Sequence, residues 1–166
     1  MKKRTSLLDV LVVVTPQGSI EGKIEDCLID LAQKKILGWS FRKDGFFSPQ
    51  QFILSEDSVL GLDVILSSKV VEPPVELNEW ICWGVDLLKN QVLNRKGEEI
   101  SVVKDIVVDR EGKELIGLET DKGLLIEAQD PVVSIRKTIV VLPNDFSMKK
   151  MPQQNTSWWG RFWGRE

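Results

Sequence analysis

One stretch of this chain occurs twice. The first copy runs from Gly18 through Asp26 and Asp30 to Gly38, and the second from Gly97 through Asp105 and Asp109 to Gly117. The interval is 79 residues at each of these four pairs, with no insertion, and the apolar positions between them stay aligned. Two Asp and two Gly matched in register mark an internal duplication. In a chain of 166 residues this predicts two units of about 60–70 residues each. Units that small bury a limited share of their surface and gain from packing on each other.

The flanking residues predict what the repeated unit is. Leu7–Thr15 is a β-branched run too short for a buried helix and reads as a strand. Thr15, Pro16, Gln17 and Gly18 then supply a turn, and Asn94, Arg95, Lys96 and Gly97 reach the same end with different residues. From Ser19 the chain alternates, placing Ile20, Gly22 and Ile24 opposite Glu21, Lys23 and Glu25. The alternation slips at Asp26, Cys27, Leu28 and Ile29, which predicts a bulge where the strand bends. Asp30 and Asp109 open the following turns as turn formers. Gly38 and Gly117 then sit within strands, where a backbone or a large side chain is expected to come close.

Lys43–Gly45 and Asp121–Gly123 close the next hairpins, and Phe46–Leu54 follows as an interrupted strand broken by Pro49. Ser55–Ser58 is expected to be one capped helical turn. Asp63–Ser67 and Thr138–Leu142 close the two units. Short strands at even spacing, with turns every ten residues or so, predict an all-β fold in which each unit is a small barrel or sandwich.

The boundaries expected are 1–72 for the first barrel, 73–84 for a linker, 85–142 for the second barrel and 143–166 for a flexible tail. Glu72, Pro73, Pro74 and Val75 make the linker stiff and extended. Trp80 or Trp83 is expected to pack between the halves. The residues after Pro143 turn polar, as in a tether, before a terminus rich in Trp and Arg.

Several classes of chemistry lack residues to carry them. The chain has no histidine, which removes the commonest general base and metal ligand. Cys27 and Cys82 stand apart in apolar settings and are expected to be buried thiols, which fits a reducing, cytoplasmic compartment. Carboxylates scatter along alternating faces, and no phosphate loop, nucleophile elbow or metal spacing occurs. No catalytic residue, cofactor or metal is expected. Asp9 interrupts the apolar N-terminal residues, so no cleaved leader is expected, and no run approaches the roughly 18 apolar residues of a membrane span.

These residues resemble the PRC-barrel family, the small β-barrel of the photosynthetic reaction-centre H subunit and of the C-terminal part of the ribosome-maturation factor RimM. Arg4, Thr5, Ser6, Leu7, Leu8, Gly18, Ile20, Gly22, Ile24, Asp26, Asp30 and Gly38 match its pattern in the first copy. Gly97, Ile100, Val102, Asp105, Asp109, Gly112 and Gly117 match it in the second. The resemblance covers about residues 4–71 and 85–142. Ser101 departs from a usual glycine, so the second copy is expected to bend less there. The resemblance implies two tandem PRC-type barrels forming a binding module without catalysis, docked on another protein or complex.

The expected function is therefore a non-enzymatic adaptor on a larger protein complex, photosynthetic or other, at the inner or thylakoid membrane. The alternative is an accessory factor of ribosome maturation or RNA processing that works through protein contacts. Direct nucleic-acid binding is disfavoured: residues 1–142 hold 18 Lys and Arg against 23 Asp and Glu. The tail instead holds four basic residues against two acidic ones. On a helix, Trp158, Trp159, Phe162 and Trp163 would share a face, with Arg161 and Arg165 on its flank. These six are the expected partner- or membrane-binding residues, suited to a protein hot spot or an acidic membrane surface. Lys2, Lys3 and Arg4 would add attraction to such a membrane if both ends share a face.

Overall fold

The computed structural model describes residues 1–15, 17–43, 47–146 and 149–152. In the first half, β1 (Lys2–Lys3) leads into the single-turn helix α1 (Arg4–Leu7), then β2 (Leu11–Val14), β3 (Ser19–Asp30) and β4 (Lys35–Arg42). β5 (Gln50–Leu54), β6 (Ser58–Leu60) and β7 (Val64–Ser67) complete it. The second half repeats the order with β8 (Ile81–Trp83), α2 (Gly84–Leu87), β9 (Gln91–Asn94), β10 (Glu99–Val108) and β11 (Leu115–Thr120). β12 (Leu124–Glu127), β13 (Ser134–Ile135), β14 (Val140–Leu142) and β15 (Lys149–Lys150) follow. Among the described residues the fold is all-β apart from two helical turns.

Connectivity is the same in both halves. The first sheet runs β5-β4-β3-β2-β7-β6, and the second runs β12-β11-β10-β9-β14-β13 with β15 added beyond β12. β7 lies parallel to β2, and β14 parallel to β9, while the other pairs along these paths are antiparallel. Even the irregularities repeat. β3 slips against β4 between Ile24 and Asp26 and between Leu28 and Ile29, and β10 slips against β11 at Val103/Asp105 and Val107/Val108. The slip expected near Asp26 is thus present in both copies.

Close approaches explain the strand glycines. A Cβ on Gly38 would lie 2.2 Å from the Ile53 carbonyl oxygen, and one on Gly117 2.1 Å from that of Ile126. Gly18 and Gly97 both take positive φ in the first turns, where Gly97 donates to the Asn94 carbonyl. The Asp30 carboxylate accepts the Ala32 and Gln33 amides, and that of Asp109 those of Lys113 and Glu114. Both are turn formers. Pro16, Asp44 and Gly45, which belong to expected turns, lie outside the described residues.

Four local expectations need correction. Leu7–Val10 is not strand: Leu7 ends α1, and Asp9 takes φ 69° before β2 begins at Leu11. Lys89 repeats that left-handed residue before β9. Ser55–Ser58 is a non-helical turn, because the Ser55 hydroxyl donates across to the Ile36 carbonyl instead of capping. Ile20 does not share a face with Ile24: Val13 opposes Ile20 and Val12 opposes Gly22, so Glu21 is an extra residue and Ile20 turns outward, 65% exposed. β10 slips at the same place, between Glu99 and Ser101. Lastly, residues 81–84 of the expected linker carry β8 and the start of α2.

Neither sheet closes into a barrel among the described residues; the hydrogen-bonded path in each half is open. The two halves instead complete each other. β1 pairs with β10 of the second half, Lys3 opposite Val107, whereas β8 pairs with β3 of the first, Trp83 opposite Leu28. At the junction Lys35 bridges Glu114, its own counterpart at the 79-residue interval. Around that bridge Ile36 donates to the Lys113 carbonyl and Leu115 to that of Lys34, which places a local twofold axis between the halves. One continuous core spans both, from Val12, Ile24, Trp39 and Phe41 to Val92, Ile106, Leu118 and Ile126.

Candidate interaction surfaces

Two aspartates hold the exchanged arms, and the sequence reading gave neither a role. Asp26 and Asp105 are both under 9% exposed, at equivalent slips of β3 and β10. Asp26 Oδ2 accepts the Val85 amide (3.1 Å) from α2, and Asp105 Oδ1 accepts the Thr5 amide (3.3 Å) from α1. Each carboxylate thus satisfies an amide at the start of the other half's helical turn, where no intrahelical acceptor exists. The signal available in sequence was an acidic residue inside an apolar run at the same place in both copies.

The symmetry of the arms breaks at Arg4. Arg4 Nε lies 2.7 Å from Asp26 Oδ1, in an ion pair buried on both sides. Gly84 occupies the position corresponding to Arg4 in the second arm, and a Cβ there would meet Asp26 Oδ1 at 2.7 Å and Arg4 Nε at 3.0 Å. Only one arginine fits beside the axis. Lys3 pairs with the buried Glu119 (2.9 Å), and Lys2 donates to the Gly61 carbonyl (3.1 Å). All three N-terminal cations expected to face an acidic membrane therefore have partners within the protein.

The linker tryptophans are half-buried against their neighbours. Trp80 accepts the Leu31 amide through its carbonyl (2.7 Å), and its ring lies 4.1 Å from the Arg136 guanidinium of the second half, a cation–π contact between the halves. Trp83 meets Phe52 edge-on at 6.1 Å. Cys27 and Cys82 are buried free thiols, as expected. Burial, with Asp86 next, pushes the Cys82 thiol up to about 12, and burial, with Asp26 next, pushes Cys27 up further still.

The outer face of the first sheet carries an apolar stripe. Val59 on β6 opposes Leu66 on β7, Leu66 lies beside Val13 on β2, and Val13 opposes Ile20 on β3. Directly registered residues share a face, so the four side chains form one row about 15 Å long at roughly 4.8 Å per strand. Val59, Leu66 and Ile20 are 69%, 40% and 65% exposed, and Val13 is half-buried. The equivalent row of the second half is Ser134, Val141, Leu93 and Glu99. Its two ends are polar where the first half has Val59 and Ile20. The bulge that turns Ile20 outward completes the stripe, which alternation alone does not reveal.

Trp158, Trp159, Arg161, Phe162, Trp163 and Arg165 lie outside the described residues. Among the described residues no three His, Cys, Asp or Glu side chains gather as a metal site, and no helix is long and apolar enough to cross a membrane. A cavity of about 550 Å³ opens beside the axis, lined by Lys35, Ser55, Glu56, Lys113 and Glu114 among others. Its Ser55 hydroxyl is committed to the Ile36 carbonyl.

Residues 84–147 match the family model of the PRC-barrel domain. The match spans α2 and every strand from β9 to β14, so the second half of the chain is a PRC-barrel domain, a general protein-interaction fold. No curated protein matches the chain.

Proposed function

We propose that this protein is a non-enzymatic adaptor that docks on a larger protein complex through the outer face of its first half. The first half is read as a second PRC-type unit, because its strand order, directions and slips repeat those of the matched half. The observation that carries the reading is the row Val59–Leu66–Val13–Ile20, apolar at both ends where the second half has Ser134 and Glu99. Two halves of one architecture have thus diverged in surface chemistry on one face. Exposed apolar residues contiguous across four strands favour burial against a protein.

The tail residues Trp158, Trp159, Arg161, Phe162, Trp163 and Arg165 supply a second contact, at a membrane-associated complex or at its lipid surface. Affinity capture from the native cell tests the proposal, using the full chain, a chain lacking residues 153–166 and the double variant I20E/V59S. The double variant gives the first half the residues of the second, so it is expected to melt as the parent does and to lose the captured complex. Capture of the same complex in undiminished yield by I20E/V59S would exclude the stripe as the docking face.

A further inference from the structure

β6 ends the first sheet, and its outer edge opens onto a groove rather than onto another strand of the described residues. The Gly61 amide donates to the Val64 carbonyl (2.8 Å) and the Ser68 amide to that of Asp57 (3.2 Å), so the bonded positions of the β6–β7 pair fall at alternate residues. By that alternation the Leu60 amide and carbonyl, and the Ser58 carbonyl, point away from β7. The groove beside them holds about 230 Å³ and is walled by Glu111 and Lys113 from the β10–β11 turn of the other half. Lys113 also lines the cavity at the axis, so the two spaces adjoin.

The second half shows what covers such a place. Gly61 and Arg136 are equivalent, each donating its amide across the last hairpin turn, to Val64 and to Ile139. At Arg136 the chain's own linker lies against the end of β13, the counterpart of β6. Glu79 pairs with Arg136 (4.0 Å), and the Trp80 ring lies on its guanidinium. Gly61 offers no side chain for such a clamp.

The groove beside β6 also has a charged end. Lys2 reaches the Gly61 carbonyl (3.1 Å), and burial, then the charge of Arg110, lowers the Lys2 pKa, so Arg110 stands close by. Lys2, Arg110 and Lys113 form no ion pair among the described residues. Against Glu111 in the same wall they leave an excess of positive charge.

We propose that the β6 edge takes up an extended acidic peptide of the partner complex as a further strand of the first sheet. Main-chain bonds to Ser58 and Leu60 supply affinity, and alternate side chains supply specificity. The residue registered with Val59 lies on the outer face and lengthens the row Val59–Leu66–Val13–Ile20 by one apolar side chain. Its neighbours turn toward Glu111 and Lys113, where a carboxylate meets the excess positive charge. The inference rests on the adaptor reading, because it places a segment of the partner at the end of the stripe.

Peptide display on the full chain tests it. Selection from a library of short random peptides is expected to return sequences with alternate apolar residues and at least one carboxylate. A selected peptide, synthesised and added to the protein, should slow hydrogen exchange of the Leu60 amide at least about tenfold, since that amide enters a strand pair. Arg110→Glu/Lys113→Glu changes two exposed side chains, so it is expected to melt as the parent does and to weaken the peptide at least about tenfold. A library that yields no binder, or binders that leave Leu60 exchange unchanged, overturns the proposal, as does undiminished binding by the charge-reversed chain. The adaptor reading survives those results if I20E/V59S still loses the captured complex, and it fails separately if that variant keeps it.

Discussion

Arg4 Nε donates to Asp26 Oδ1 over 2.7 Å, and the same carboxylate accepts the Cys27 amide (2.8 Å) and the Val85 amide (3.1 Å). One buried side chain thus binds the N-terminal turn, its own strand and the first turn of the second half. Removing one partner of a buried pair leaves an uncompensated charge, so Arg4→Met is expected to cost about 3–5 kcal/mol in urea unfolding. The double variant Arg4→Met/Asp26→Asn should recover part of that loss. A cost below about 1 kcal/mol for Arg4→Met, typical of an exposed pair, would mean that this ion pair is open to water.

Gly84 and Gly97 make a controlled comparison. A Cβ on Gly97 meets nothing within 4 Å, so Gly97→Ala is charged only with its positive φ, about 1–2 kcal/mol. Gly84→Ala forces a methyl group against Asp26, Cys27 and Arg4, and overpacking of that kind costs about 1–3 kcal/mol before any loss of the ion pair. Gly84→Ala is therefore expected to be the more damaging. The reverse order in thermal melts would show that the arms have slack at the axis.

The thiols set an alkaline limit. A folded-state value raised above the unfolded one means that the native protein holds the proton longer, so stability is intact below about 8.5 and falls as pH rises through about 12 for Cys82. Cys82→Ala should remove part of this alkaline slope while lowering stability at neutral pH through the lost packing. Thiol titration at pH 8 is expected to label Cys27 and Cys82 at the rate of global unfolding. Labelling faster than unfolding would place either thiol in a locally open site.

Most of the topology was legible because a duplication constrains it: Gly18, Asp30, Gly38 and their counterparts announce turns and close approaches whose cause is local. The arms were not legible for a physical reason. Lys2–Lys3 and Ile81–Trp83 are two and three residues long, carry no alternation, and pair with strands far away in sequence or already occupied on one side. Read alone, such segments look like a charged terminus and an apolar linker. Ile20 was assigned to the wrong face because a single extra residue, Glu21, reverses every later side chain, and no propensity records it. Asp26 and Asp105 stood out as repeated residues, but the amides that they bind come from the opposite half.

The central structural claim is that the chain is one interlocked body in which each half is completed by the other's arm. Hydrogen exchange across a urea series, resolved by peptides, tests it most directly. Peptides from β3–β4 and from β10–β11 are expected to open with the same free energy and the same dependence on urea, as one cooperative unit. Loss of protection in one half at a urea concentration where the other remains fully protected would contradict the claim and define two independent domains.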